Sequence, residues 1–243
     1  SDIVNLDPVI GVGEIAISDH RSSQPTLDEL LRIASDAHVA GLMTGKAGVL
    51  HLHLGDGERG LELVRQALEH SEIPARAFNP THCNRGIALF EQAVELARFG
   101  CHIDLTAFPV EEGEDAYTAA DGLLRYLDSG APADRISISS DGGGCLPHFN
   151  AQGEITRMDL GLPNSLASTL AELLHLDFAL EIVLPAFTSN PANLLRLHGK
   201  GELAAGQDAD LIVLDDNHQI TSVMAMGRWH LKDGQTQIRG SFE

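Results

Sequence analysis

Four residues of types that bind divalent cations stand at or near the ends of strand-like stretches in this chain of 243 residues: Glu14, His53, His82 and Asp141. Singly, each has an ordinary explanation, since a histidine can end a strand without binding anything and Asp141 in "SSDGGG" can cap a helix or shape a turn. Together, two neutral imidazoles and two carboxylates suit Zn²⁺ or a similar ion. Such an ion lowers the pKa of bound water to about 7, so the set predicts metal-dependent hydrolysis.

Glu14 has the least ordinary surroundings of the four. It stands in "VIGVGEIAIS", an otherwise apolar stretch, where we expect its carboxylate to be buried. A buried carboxylate is costly unless it is paired or bound to metal. The position of Glu14 therefore indicates a cation beside it.

Arg21 in "SDHR" and Arg85 in "PTHCNR" follow two of the same stretches. Arginine offers a rigid fork of donors that matches a carboxylate, so both are candidates for binding an acidic group of a substrate. The alternative for each arginine is ion pairing at the surface.

Extended apolar runs alternate with helical patterns along most of the chain, which implies parallel pairing of the strands. The first helix is predicted to open with Thr26-Leu-Asp-Glu29, a capping box in which both side chains satisfy free amides. The strand-like stretches are 9–17, 47–54, 76–82, 101–108 and 135–140, and the later helical ones are 58–70, 86–99, 162–175 and 178–196.

Either an open doubly wound sheet or a closed (β/α)8 barrel accommodates such units. Polar residues at several strand ends favour the barrel, because a barrel gathers its site from many strands. We therefore predict an α/β fold in which residues 1–198 form a partial TIM-type barrel that lacks about three N-terminal strands. Residues 199–243 are predicted to form a small β appendage. Its strand candidates are 210–214, 220–226 and 236–239.

The amino-acid composition argues against some classes of binding partner. The formal net charge of −19 argues against binding nucleic acid or an anionic membrane surface, because the field of the chain repels both. The sequence has no apolar run of about 18 residues and no basic flank typical of a signal peptide. Cys83, Cys101 and Cys145 lack C-x-x-C spacing and predict free thiols. We expect a cytoplasmic protein with a small-molecule substrate.

The order of these motifs resembles the amidohydrolase superfamily and, within it, the isoaspartyl dipeptidase family, over essentially the whole chain. The shared pattern comprises Glu14, "LHLGD" with His53, "NPTHCNR" with His82 and Arg85, and "SSDGGG" with Asp141. The tail from Thr188 to Asp215 resembles the superfamily's return from the barrel to a β-sandwich domain. The resemblance therefore implies a metal-dependent hydrolase with part of such a sandwich at residues 199–243.

The resemblance also implies how the ligands are shared between two zinc ions. Glu14 would bridge them, at the position where the family's best-known members carry a carboxylated lysine. His53 and His82 would bind the second ion. Asp141 would bind the first and carry the proton as the catalytic acid and base.

The same resemblance implies which residues bind the substrate and which reaction is catalysed. Arg21 and Arg85 would hold the α-carboxylate of a β-aspartyl (isoaspartyl) dipeptide, and Cys145 stands where the family has a serine that contacts the substrate. A metal-bound hydroxide would then hydrolyse the isopeptide bond, in an enzyme expected to be a homo-oligomer. The alternatives are another amidohydrolase, such as a D-aminoacylase or a cyclic-amide hydrolase.

A different alternative is a catalytically silent fragment. The family holds its first metal with a His-x-His pair on the first barrel strand, and no such pair precedes Glu14. His51-Leu-His53 is not that pair, because "LHLGD" fits the fifth strand; we expect His51 to point into the barrel without binding metal. We therefore expect this chain alone to be inactive and to need the N-terminal strands.

Overall fold

Five parallel strands form the inner layer of the structure, a computed structural model that describes residues 1–150, 152 and 154–240. They are β1 (Gly11–Ile17), β2 (Val49–Leu54), β3 (Phe78–Thr81), β4 (Ile103–Thr106) and β5 (Ile136–Ser139). The first three pair in chain order, and β4 pairs with β5. All five lie within the stretches that the sequence predicts, and they alternate with helices as expected for a TIM-type hydrolase.

Side chains join β3 to β4 and β5. The Thr81 hydroxyl donates to the Asp104 carboxylate over 2.7 Å, and the hydroxyls of Ser137 and Ser139 each donate to it over 2.6 Å. Asp104 is buried, and burial raises its pKa. Three hydroxyl donors satisfy the acceptors that burial removes from water. Asp104 thus ties three neighbouring strands together in the interior.

Strand β2 buries alternate side chains against the helices. In β2, Leu50, Leu52 and Leu54 are fully buried, whereas His51 and His53 lie on the opposite face. This alternation follows from the two-residue period of a strand. The face away from the helices is therefore free to carry polar groups.

The first long helix begins as predicted. The Thr26 hydroxyl accepts from the Glu29 amide over 3.3 Å, and the Glu29 carboxylate accepts from the Thr26 amide over 2.8 Å. Gly45 ends this helix with a φ of 77°, a conformation that glycine adopts without strain. The helices are α1 (Asp2–Asn5), α2 (Leu27–Thr44), α3 (Glu62–Glu69), α4 (Ile87–Arg98), α5 (Ala119–Asp128), α6 (Ser165–His175), α7 (Leu180–Val183) and α8 (Ser189–Leu194).

Two expectations about the region after β5 are wrong. The fifth strand leads first into an antiparallel hairpin, β6 (Cys145–Phe149) with β7 (Ile155–Leu160), and only then into α6. The predicted helix at 178–196 is divided by a 3₁₀ turn at Leu184–Phe187. Pro185 explains the division, because proline lacks the amide that continues a helix and clashes with the preceding turn.

The C-terminal segment forms one four-stranded antiparallel sheet of order β11-β10-β9-β8. Its strands are β8 (Leu211–Leu214), β9 (Ile220–Ala225), β10 (Arg228–Lys232) and β11 (Gln235–Thr236). The sequence missed β10, whose alternation is obscured by charged residues at both ends. The predicted last strand at 236–239 overlaps β11 only at Thr236. The domain boundary between residues 198 and 199 stays a prediction, and so does the β-sandwich domain.

No helix among the described residues is long and apolar enough to cross a membrane. Cys83, Cys101 and Cys145 are free thiols, as predicted. Burial raises the pKa of Cys101 to about 12, so its thiol stays protonated at neutral pH.

His102, just before β4, generates a prediction about stability. It is buried, and its Nε2 has no hydrogen-bond partner among the described residues. Burial, assisted by the charge of Arg135, lowers the pKa of His102 from 6.5 to about 4. Folding therefore favours the neutral ring, and this stabilisation is complete above pH 6.5 and lost as the pH falls toward 4.

As the pH falls from 6.5 to about 4, we expect the free energy of unfolding to decrease by about 3 kcal/mol more in the parent than in His102→Gln. Urea unfolding at several pH values measures it. His70→Gln, at an exposed histidine, is the control and should retain the parent's slope. Equal slopes in the parent and His102→Gln would contradict the prediction.

Candidate active site

Glu14, in the middle of β1, meets His53 near the end of β2 and His82 just after β3. The Glu14 carboxylate lies 3.5 Å from Nδ1 of His53 and 3.3 Å from Nε2 of His82. One donor atom from each residue lies within 4.8 Å of the others, so one ion could contact all three. Because parallel strands end at the same edge of a sheet, residues far apart in sequence converge here.

Glu14 is less buried than its apolar strand predicts, which corrects the sequence-based expectation. Its side chain is 40% exposed, because it projects from β1 into an open cavity and not into the core. The carboxylate is nonetheless paired. The imidazoles of His53 and His82 beside it hold the pKa of Glu14 well below its usual range, against the opposing effect of burial. Glu14 is therefore ionised, as a metal ligand must be.

His53 presents one ring nitrogen to Glu14 and the other to Asp19. Its Nε2 donates to Oδ2 of Asp19 over 2.9 Å. The neighbouring Glu14 carboxylate raises the pKa of His53, and Asp19 adds to this effect. The sequence analysis assigned Asp19 no role. Its only signal was its position two residues after the end of β1.

His82 is 2% exposed and has a φ of 60°, which is uncommon for a residue other than glycine. Its Nδ1 lies 2.7 Å from the Thr106 hydroxyl. Its Nε2 is buried with no hydrogen-bond partner among the described residues. A buried polar atom without a partner is destabilising unless something else binds it, so this nitrogen fits a metal ligand.

A cavity of about 800 Å³ opens beside the cluster. Its lining includes Glu14, Arg21, His53, Arg85, Asp141 and Cys145. The cavity therefore brings together six of the seven residues that the sequence singles out, in a space large enough for a small molecule.

Asp141 lines the cavity but lies outside the group of three whose donor atoms are within 4.8 Å of one another. It has a φ of 48° in the turn after β5. The turn packs tightly: a Cβ on Gly144 would overlap the Asp141 carboxylate, and one on Gly161 would overlap its carbonyl oxygen. Two glycines thus permit the close packing around Asp141.

The two arginines are held differently. Arg21 is paired with Asp19, and this hydrogen bond raises its pKa. Arg85 donates to the Leu54 carbonyl over 3.0 Å and has no carboxylate within 4.0 Å in the described part of the chain. Burial and the neighbouring charge of Arg21 lower the pKa of Arg85. Arg85 therefore offers a positive charge inside the cavity that is not directly paired with a carboxylate among the described residues.

His51 and Cys145 complete the predicted set. His51 Nδ1 lies 2.7 Å from the Asn79 side-chain oxygen, and its Nε2 lies 3.9 Å from Glu14, outside the group of three. It points to the ligand side of β2, as expected. Cys145 is exposed at the start of β6.

The comparisons with known proteins agree with this geometry. The model of the amidohydrolase family matches residues 11–230. The chain belongs to the amidohydrolase family. The crystal structure of a beta-aspartyl dipeptidase from Fervidobacterium islandicum AW-1, in complex with beta-Asp-Leu dipeptide, is 42% identical with a TM-score of 0.91 and covers 99% of this chain. The resemblance to that dipeptidase within the amidohydrolase family is thereby confirmed.

Two further matches are more distant. A D-hydantoinase from Bacillus sp. AR9 is 12% identical with a TM-score of 0.62, covering 97% of this chain and 67% of that one, and shows the shared fold alone. A deacetylase from Agrobacterium fabrum is 25% identical over 205 residues, which is 78% of this chain and 48% of the deacetylase. The chain spans 62% of the Fervidobacterium dipeptidase and about half of the curated deacetylases.

The cluster generates a prediction about metal binding. We expect His82→Ala to weaken zinc affinity by more than about 100-fold, because losing a ligand costs more than losing a group that orients one. His51→Ala is the matched control on the neighbouring strand and should bind zinc like the parent. Competition with a chelating dye measures both. Tight zinc binding by His82→Ala, or equal loss in His51→Ala, would contradict this ligand set.

Proposed function

We propose that the protein hydrolyses the isopeptide bond of β-aspartyl dipeptides, with a divalent metal held by Glu14, His53, His82 and Asp141. The observation that carries the proposal is Arg85, a guanidinium without a carboxylate partner among the described residues, in the same cavity as the ligand cluster. A substrate carboxylate is the group that such a guanidinium binds best. The 42% identity with the dipeptidase solved with beta-Asp-Leu supports the same substrate.

The residues divide the work. Arg85 and Arg21 bind and orient the α-carboxylate of the dipeptide, which places its side-chain amide near Glu14 and the histidines. A divalent metal, when bound, polarises the amide carbonyl and acidifies water. The Asp141 carboxylate takes a proton from the attacking water and returns it to the leaving amine, so one group serves as base and then as acid.

The donor set favours zinc, since two imidazoles and a carboxylate suit that ion. In this proposal Glu14 would help to hold both of two zinc ions, and His53 and His82 would hold one of them. Cys145, exposed at the cavity, contacts the substrate. The whole protein would be a homo-oligomer with a small β-sandwich domain at its C-terminus.

A second candidate is hydrolysis of an N-acyl amide, favoured by the match to the deacetylases. The two functions differ in their need for Arg85. A simple N-acyl substrate has no carboxylate on the acyl side of the scissile amide, so it would not require both arginines in the cavity.

In the whole protein, we expect Arg85→Met to lower kcat/KM for β-aspartyl-leucine by about 10- to 100-fold, because a charge-assisted hydrogen bond is lost. Zinc content should stay at the parent's level, because Arg85 is not a ligand. Arg76→Met is the matched control, since Arg76 precedes β3 at the strand end opposite His82.

Steady-state kinetics on β-aspartyl-leucine and on N-acetyl-leucine separate the two functions. An unchanged kcat/KM for β-aspartyl-leucine in Arg85→Met would count against the dipeptidase. Faster turnover of the N-acetyl compound by the parent would favour the deacylase.

A further inference from the structure

Asp19 contacts both halves of the candidate site. Its Oδ2 accepts from His53 Nε2 over 2.9 Å and from the Arg21 guanidinium over 2.8 Å. Its Oδ1 accepts from Nε of Arg21 over 3.1 Å and from the Arg21 amide over 2.6 Å. Asp19 is only 2% exposed. One buried carboxylate thus binds a candidate metal ligand and a candidate substrate-binding arginine.

The hydrogen bond with Asp19 determines which ring nitrogen of His53 can bind a cation. Two donors from Arg21 keep the Asp19 carboxylate ionised. An ionised carboxylate only accepts hydrogen bonds, so Nε2 of His53 carries a proton in this contact and cannot bind a cation. The other nitrogen, Nδ1, is the one that lies 3.5 Å from Glu14. Asp19 therefore selects the ring orientation and tautomer in which Nδ1 can bind a cation.

The loops that follow β1 and β2 hold Asp19 in place. The Ser18 hydroxyl donates to the Gly57 carbonyl and accepts from the Gly60 amide, both over 2.7 Å. Gly55 packs against Asp19 so closely that an added Cβ would overlap the carboxylate. The position of Asp19 is therefore built by both loops and does not follow from the β1 loop alone.

We propose that Asp19 is a positioning residue that holds His53 with Nδ1 toward Glu14 and, through the same carboxylate, holds Arg21 at the cavity. The inference rests on the proposed function for the role of Arg21, and on the geometry of the cluster for the role of His53. Metal binding and substrate binding are thereby linked through one side chain.

The test compares Asp19→Asn with Asp56→Asn. Asp56 is a suitable control because its carboxylate belongs to the same loop region but pairs with His20, 2.9 Å away, and not with His53. We expect Asp19→Asn to weaken zinc affinity by about 10- to 100-fold, as loss of a ligand-orienting group does. We also expect a higher KM for β-aspartyl-leucine. Asp56→Asn should bind zinc like the parent.

A role limited to fold stability would lower the melting temperature of the metal-free protein without changing zinc affinity at temperatures where both variants are folded. Zinc affinity is therefore measured by chelator competition well below the melting temperature. Parent-like zinc affinity in Asp19→Asn, or the same loss in Asp56→Asn, would overturn the proposal.

A measurement on the unmutated protein decides the case if Asp19→Asn does not fold. Long-range ¹⁵N–¹H spectra of histidine-labelled, zinc-loaded protein should show His53 protonated at Nε2, and an unprotonated Nε2 would overturn the proposal. If the parent binds zinc but does not hydrolyse β-aspartyl-leucine, the proposed function fails. The zinc and ring measurements then still decide whether Asp19 positions His53.

Discussion

The parallel pairing of β1 with β2 and of β2 with β3 sets the positions of the candidate ligands. Adjacent strands lie about 4.8 Å apart, so residues at neighbouring strand ends come within reach of one ion. Ala16 pairs with His53, and His53 pairs with Thr81, which directly precedes His82. The register between β1 and β2 shifts between Val12 and Ile15, the part of the strand that carries Glu14. A register slip of one residue would turn His53 away from the cavity.

Buried polar contacts keep this arrangement in one conformation. Thr106 at the end of β4 contacts His82, and Asp104 on the same strand bonds to hydroxyls from β3 and β5. A buried carboxylate is tolerated only where donors satisfy it, so these strands must lie in the observed order. The orientation of His82 thus depends on a strand whose residues lie more than twenty positions further along the chain.

The cavity carries a positive side chain although the whole chain is strongly negative. The formal net charge of −19 would repel an acidic substrate at long range. Within the cavity, Asp19 neutralises Arg21, but Arg85 has no such partner among the described residues. At contact distance a desolvated guanidinium outweighs distant carboxylates that water and salt screen. Local pairing, and not total charge, therefore determines which group the cavity attracts.

The sequence by itself predicted the five parallel strands, the capping box at Thr26, the family and the meeting of Glu14, His53 and His82. These features follow from local patterns: apolar periodicity, cap chemistry, and the rule that parallel strands end at one edge. Tertiary structure alone decided that Glu14 is partly exposed, that Asp19 bonds to His53, and that the β6–β7 hairpin follows β5. Asp19 and His53 are 34 residues apart, and their contact requires two loops to pack together. No pattern of local spacing encodes such a contact, because packing between distant segments determines which polar groups are buried and which partners remain to satisfy them.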